Sequence, residues 1–302
     1  MKKLYGVTTA MITPMYENGE INLEGTKELT NFLIDKGVDC LYPLGTTGEM
    51  FKLSVSERKR VAEAVIQTAN NRVNVFIHVG AMNQRDTIDL AQHAYEAGAD
   101  GIGVVTPAFF SANDYEIEEY YATVSKKLPS DFPIYLYSIP QLSGNELSIP
   151  VVKKLVEKYE NIIGIKYSYP DFVMLKDYLA VGNDGFSALT GADSLFLPAL
   201  ALGCDGVVSG VSCVFPEPFV EIYKAYQNKE LDRARELQRH ADKLITLLKG
   251  GSNMSYFKKA IEYRGIQAGS VKAPQLDIGS QEEKELIEKL DGWKLNIPLV
   301  IR

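Results

Sequence analysis

Cysteine is scarce in this chain: Cys40, Cys204 and Cys213 are all it has in 302 residues. They are widely spread and odd in number. That pattern fits neither a disulfide framework nor a CxxC metal site and points to a reducing compartment. Histidine is as rare, and His78, His93 and His240 show no metal-ligand spacing, so a zinc-dependent aldolase or hydrolase is not expected. Positive charge is also short. Lys and Arg number 32 against 39 Asp and Glu, a net charge of −7, with an isoelectric point near 5.2. Such a chain makes a poor binder of phosphate backbones, and no nucleic-acid partner is expected. Long hydrophobic runs are missing. The most apolar stretch, residues 189–215, is interrupted by Asp193, Pro198 and Asp205, whereas a membrane-spanning helix needs about 20 mostly apolar residues. Lys2 and Lys3 precede a short threonine-rich segment rather than an apolar leader. The expectation is a cytoplasmic protein with no membrane partner. Gly101-Ile102-Gly103 lacks the third glycine of a dinucleotide fingerprint, and there is no Walker A sequence.

What is present is ordinary globular composition, 46% hydrophobic and 24% charged. A length of 302 residues suits one α/β barrel or two ordinary domains. A single pattern recurs: a short apolar run, a Gly/Pro/Thr turn, then an amphipathic stretch. The strand-like runs are residues 6–12, 38–44, 73–79, 101–105, 134–138, 162–167, 186–190 and 206–209. Helical spacing fills residues 22–36, 54–70, 83–96, 114–127, 148–159, 171–181, 192–202 and 216–227. Ser54-Val55-Ser56-Glu57 reads as a capping box. Eight such alternations imply parallel strands with right-handed crossovers, and eight is the number that closes a barrel. The rival, an open doubly wound sheet, usually places a glycine-rich turn after its first strand; here Thr13-Pro14-Met15 follows. The expected fold is a (β/α)8 TIM barrel over residues 1–229, with an appended C-terminal helical region over residues 230–302 holding helical patterns at 230–248, 253–263 and 281–290.

Barrel chemistry sits at the C-terminal ends of the strands. The second strand ends in Gly45-Thr46-Thr47-Gly48-Glu49. Its glycines allow close backbone approach, and its hydroxyls and N–H groups suit a carboxylate or phosphate, though a plain turn reads the same way. On the sixth strand, alternation sets Ile163, Ile165 and Tyr167 on the outer face and Gly164, Lys166 and Ser168 on the inner one. Lys166 then enters the barrel near its catalytic end, unless it snorkels out of the mouth. The fifth strand turns Tyr135 and Tyr137 inward. If the two strands are neighbours, about 4.8 Å apart, Tyr137 and Lys166 can share one small ligand. His78 ends an apolar strand and reads best as a structural histidine. Tyr120-Tyr121 reads as helix packing.

Gly45-Thr46-Thr47-Gly48-Glu49, Tyr137-Ser138-Ile139-Pro140 and Gly164-Ile165-Lys166 together resemble the three signatures of the dihydrodipicolinate synthase/N-acetylneuraminate lyase family. The resemblance extends over essentially the whole chain. It implies a pyruvate-dependent class I aldolase that needs no metal or organic cofactor, assembled as a homotetramer (a dimer of dimers). By this resemblance Lys166 is the Schiff-base lysine and Tyr137 the tyrosine that moves protons at the bound 2-oxo acid. Thr46 and Thr47 form the hydroxyl pair at its carboxylate, and Val208 is the apolar residue against bound pyruvate. A free lysine amine, with pKa about 10.4, is neutral in on the order of one molecule in a thousand near pH 7. Burial in a barrel mouth favours the neutral nucleophile.

Within the family, dihydrodipicolinate synthases carry an arginine two residues after the proline of the tyrosine motif. Leu142 stands there, and Leu142-Ser143-Gly144 resembles the lyases and 2-keto-3-deoxy sugar-acid aldolases. Gly191 and Asp193 match residues that hold sugar hydroxyls, Ser194 replaces the lyase glutamate, and Ser168 stands where the lyases have threonine. Phe109, followed by Phe110, occupies the place of a tyrosine lent to the neighbouring subunit, so the hydroxyl relay from Thr47 to Tyr137 is incomplete. The expected activity is cleavage of a hydroxylated 2-oxo acid, a 2-keto-3-deoxy sugar acid or sialic-acid-like compound, to pyruvate and an aldehyde. The expected contacts are Thr46, Thr47, Val208, Ser168, Gly191, Asp193, Leu142 and Ser143. The alternatives are dihydrodipicolinate synthesis, a sugar-acid dehydratase of the same family, or a non-catalytic 2-oxo acid binder.

Overall fold

Alternation of apolar residues with Gly, Pro and Thr turns produces the strands β1 (Gly6–Ala10), β2 (Cys40–Tyr42), β3 (Asn74–His78), β4 (Gly101–Val105), β5 (Ile134–Ser138), β6 (Ile162–Tyr167), β7 (Ser187–Thr190) and β8 (Gly206–Ser209). In the computed structural model, which describes residues 1–182, 185–251 and 253–295, they form a closed barrel in chain order. Each pairs in parallel with its neighbours, and β8 returns to β1 with Val7 opposite Val207. The (β/α)8 barrel expected from the sequence is the fold.

The helices are α1 (Leu23–Asp35), α2 (Val55–Ala69), α3 (Gln84–Glu96), α4 (Asp114–Ser125), α5 (Pro140–Ser143), α6 (Ile149–Lys158), α7 (Phe172–Leu179), α8 (Phe196–Leu202), α9 (Pro216–Gln227), α10 (Leu231–Leu247), α11 (Met254–Tyr263) and α12 (Ser280–Leu295). The Ser54–Glu57 capping box opens α2 as read. The single turn α5 was not legible in the sequence. The appended region is helical as expected; residue 252 and residues 296–302 of it lie outside the described residues. It does not stand apart, since Leu244, Leu290 and Trp293 join the same buried cluster as Val207 of the barrel wall. The Trp293 indole donates to the His240 carbonyl at 3.1 Å and stacks on the His240 ring.

Two strands end two residues before their apolar runs do. β2 stops at Tyr42 because Pro43 offers no N–H and Leu44 takes a left-handed φ of 65°. β1 stops at Ala10; the Met11 N–H still reaches the Tyr42 carbonyl at 3.2 Å, but that of Ile12 goes to the Cys213 sulfur. A correction concerns Ile163, expected on the outer face. The β5–β6 register shifts between Ile134 and Tyr135, so that Ile162 and Gly164 face consecutive residues. This bulge leaves Ile163 unpaired and places it with Leu4, Tyr135 and Leu189 inside the barrel.

Small residues on one strand admit large ones from another inside the barrel, as Gly103 on β4 admits Tyr42 of β2. At Gly103 an added Cβ would lie 1.8 Å from the Tyr42 hydroxyl. Overpacking of this kind typically costs about 1–3 kcal/mol. Gly103→Ala is therefore expected to lower the melting temperature by about 5 °C. An unchanged thermal melt would mean that the Tyr42 ring can retreat.

Candidate active site

The parallel register sets Tyr137 beside Lys166, at the C-terminal ends of β5 and β6. Lys166 is 4% exposed. Its Nζ lies 4.0 Å from the centroid of the Tyr137 ring and 4.9 Å from that of Tyr42. Among the described residues the contacts of this amine are aromatic faces, so no ion pair ties it down. It opens on a cavity of about 350 Å³ lined by Thr46, Thr47, Tyr137, Lys166, Ser168 and Val208, among others.

The turn after β2 gives the cavity a wall of donors. It closes on itself through Gly48 N–H to Gly45 O and Glu49 N–H to Thr46 O, both 3.0 Å. Thr13 Oγ1 donates to Gly48 O at 2.8 Å. Among the described residues, the N–H groups of Thr46 and Thr47 have no acceptor in the protein. Two such N–H groups with two hydroxyls form an anion-binding concavity. Thr46 Oγ1 lies 3.3 Å from the Tyr137 hydroxyl, so Thr46, rather than Thr47, is the hydroxyl that meets the tyrosine directly.

The rest of the lining includes the polar residues Ser168 and Asp193 and, among the described residues, no cation beyond Lys166. Gly191 lies against Ser168 so closely that a Cβ would fall 1.8 Å from Ser168 Oγ. Asp193 lines the cavity while one of its oxygens accepts from Val211 N–H at 3.2 Å. Burial pushes its carboxyl up to about 6, against the opposing pull of Ser209, the Val211 N–H and Lys166. Leu142, on α5, is at the rim and 64% exposed. Ser143 is the exception among the expected contacts. It is absent from the cavity lining; its hydroxyl accepts from Thr106 Oγ1 at 2.9 Å and its single proton has the carbonyls of Ile139 and Asn145 to share or choose between. The loop, not the cavity, takes up its hydrogen-bonding capacity.

Six lining residues were not anticipated as contacts: Ala10, Ile139, Gln141, Gly210, Gly250 and Gly251. Gln141 donates to the Ser168 carbonyl at 2.6 Å, bridging the tops of β5 and β6. Gly250 and Gly251 reach the rim from the far end of α10. The glycine pair is visible as a turn in the sequence, but its position over the mouth depends on tertiary docking.

His78 is fully buried and outside the lining. Its Nδ1 is 3.1 Å from the Leu44 carbonyl. Burial first, then the nearby charges of Arg58 and Lys166, hold the imidazole well below its ordinary pKa, and it is a neutral structural group. Phe109 is 80% exposed and packs edge-on against Phe110. It does not line the cavity of its own chain. If the hydroxyl missing at Phe109 limits proton transfer, Phe109→Tyr is expected to raise turnover, general acid–base assistance being worth about 10²–10⁴-fold in full. No change in kcat, with Tyr137→Phe still crippling, would assign the relay to water or another group.

Comparison with known proteins gives one consistent result. The family model described as the dihydrodipicolinate synthetase family matches residues 3–292. A DapA-like lyase of Halobacterium salinarum is 35% identical over 90% of this chain and 88% of its own length. The crystal structure of dihydrodipicolinate synthase from Aquifex aeolicus superimposes with a TM-score of 0.91 at 31% identity, covering 97% of this chain and 99% of that one. The wild-type sialic acid aldolase of Ruminococcus gnavus gives the same TM-score of 0.91 at 26% identity, covering 97% of this chain and 99% of its own. Among the described residues no helix is long and apolar enough to cross a membrane.

Proposed function

Because this chain belongs to the dihydrodipicolinate synthetase family and is accordingly a pyruvate-dependent lyase, we propose that it is a Schiff-base aldolase cleaving a 2-keto-3-deoxy sugar acid, or a related hydroxylated 2-oxo acid, to pyruvate and an aldehyde. In this reading the Lys166 amine attacks the C2 carbonyl and expels water to form an iminium. The iminium withdraws electrons, so as the C4 hydroxyl loses its proton the C3–C4 bond breaks. The aldehyde departs and the electron pair remains as an enamine, which takes a proton at C3 and is hydrolysed by water to pyruvate and the free Lys166 amine. Tyr137 moves the proton at the bound 2-oxo acid. The substrate carboxylate lies on the Thr46 and Thr47 N–H and hydroxyl groups, and Val208 packs against the C3 methyl of pyruvate.

The observation that carries the reading is the buried Lys166 amine 4.0 Å from the Tyr137 ring centroid, in a cavity whose lining offers Ser168, Gly191 and Asp193 but, among the described residues, no second cation. Hydroxyls find partners on such a lining, and a second carboxylate does not. The synthase reading keeps support from relatives bearing that name, such as the enzyme of Aquifex aeolicus. A panel of 2-oxo sugar acids with pyruvate release as the readout separates the two: release from at least one member supports the aldolase. The same proposal includes a cytoplasmic homotetramer, a dimer of dimers, which the exposed Phe109–Phe110 pair supports as a contact surface.

A further inference from the structure

Lys258 is 0% exposed, an unusual position for an ammonium group. It sits on α11, in the appended helical region. Its Nζ pairs with Glu49 Oε1 at 2.9 Å and donates to the Ser270 carbonyl at 2.5 Å. Glu49 is itself buried and closes the Thr46–Thr47 turn in a left-handed conformation, φ 61°, which a non-glycine residue adopts only when its surroundings hold it there. Its other oxygen accepts from Lys52 Nζ at 2.8 Å and from the Lys272 N–H at 2.9 Å. The Lys272 side chain in turn pairs with Glu57 of the α2 capping box. Burial alone would raise the Glu49 carboxyl, but Lys258, Lys52 and the Lys272 N–H outweigh it and hold the group below its ordinary value. The neighbouring residue of α11 reaches the same place. A Cβ added at Gly210 would lie 3.2 Å from Thr47 Oγ1 and 3.6 Å from the Phe257 ring.

We propose that Lys258 is a positioning residue for 2-oxo acid binding: through Glu49 it fixes the turn whose Thr46 and Thr47 groups receive the carboxylate, so the appended region sets affinity at a site made by the barrel. The inference rests on the function proposed above. Removing Lys258 strips Glu49 Oε1 of its cation and leaves Lys52 and the Lys272 N–H pulling on the other oxygen alone. The buried carboxylate is then half unpaired, and its left-handed backbone can relax and shift the turn. A displacement of about 1 Å at a binding group costs on the order of 10²-fold.

The experiment is pyruvate titration of the adduct trapped by borohydride, in the full-length wild type, Lys258→Met, Glu49→Gln and the double variant, with thermal melts alongside. In Lys258→Met the half-saturating pyruvate concentration is expected to rise about 10- to 100-fold, while the adduct at saturating pyruvate still reaches the wild-type extent. The double variant is expected to shift no further than the worse single one, because both remove one interaction. If Lys258→Met does not fold, Lys258→Gln, which keeps a donor for the Ser270 carbonyl, carries the same expectation. A lowered melting temperature with an unchanged half-saturation overturns the positioning role and leaves a structural ion pair. Absence of any adduct in the wild type overturns the function itself, a distinct failure.

Discussion

Lys166→Ala is expected to lose activity by on the order of 10⁴-fold or more, the range seen when a covalent nucleophile is removed. Lys166→Arg is expected to be equally inactive. A guanidinium stays protonated at any ordinary pH and has no amine lone pair to offer, although it retains the charge and much of the length. A purely electrostatic role for Lys166 predicts the opposite, since arginine would then serve in part. Steady-state pyruvate release distinguishes the two, and circular dichroism confirms that each variant is folded. The side chain is buried against two aromatic rings, so Lys166→Met, of similar volume, serves as the variant least disturbing to packing.

The second large effect concerns the acceptor. Dihydrodipicolinate synthesis requires aspartate semialdehyde, whose far end carries a carboxylate. Such a group usually meets a fork of guanidinium donors, and each charge-assisted bond is worth about 1.5–3 kcal/mol. Leu142, exposed at the rim, gives it an apolar wall instead, and Asp193 gives it a like charge. A carboxylate left partly unsatisfied there loses more. Condensation of pyruvate with aspartate semialdehyde is therefore expected to run at least about 10²-fold below cleavage of the best 2-keto-3-deoxy sugar acid, compared as kcat/KM. Polyhydroxylated aldehydes lose less, because Ser168 and Asp193 line the same cavity. Leu142→Arg is expected to narrow the gap. Efficient condensation by the wild type would overturn the preference and require a cation from elsewhere in the mouth or from another subunit.

Much of this was legible in the sequence because the signals were periodic. Eight apolar runs separated by amphipathic stretches specify the closed barrel, and strand parity alone sends Lys166 and Tyr137 inward. Parity failed where the backbone broke its period. Ile163 turned inward because a bulge inserts one residue into β6, and no residue type announces that. Ser143 looked like a free hydroxyl but is consumed by Thr106, Ile139 and Asn145, a network created by two loops meeting. Gln141 went unnoticed because the single turn α5 fixes its direction. Gly250, Gly251 and Lys258 belong to the appended region, and their place at the site depends on docking across more than 200 residues of sequence, as between Lys272 and Glu49. Local pattern carries no such information.

The central claim is that Lys166 forms a covalent imine with a 2-oxo acid. Borohydride reduction of the wild-type protein in the presence of pyruvate, followed by peptide mass mapping, tests it most directly. The account predicts one reduced pyruvate adduct, on the peptide containing Lys166, and none in Lys166→Ala. An adduct on a different lysine, or cleavage activity that proceeds with no trappable adduct, would contradict it.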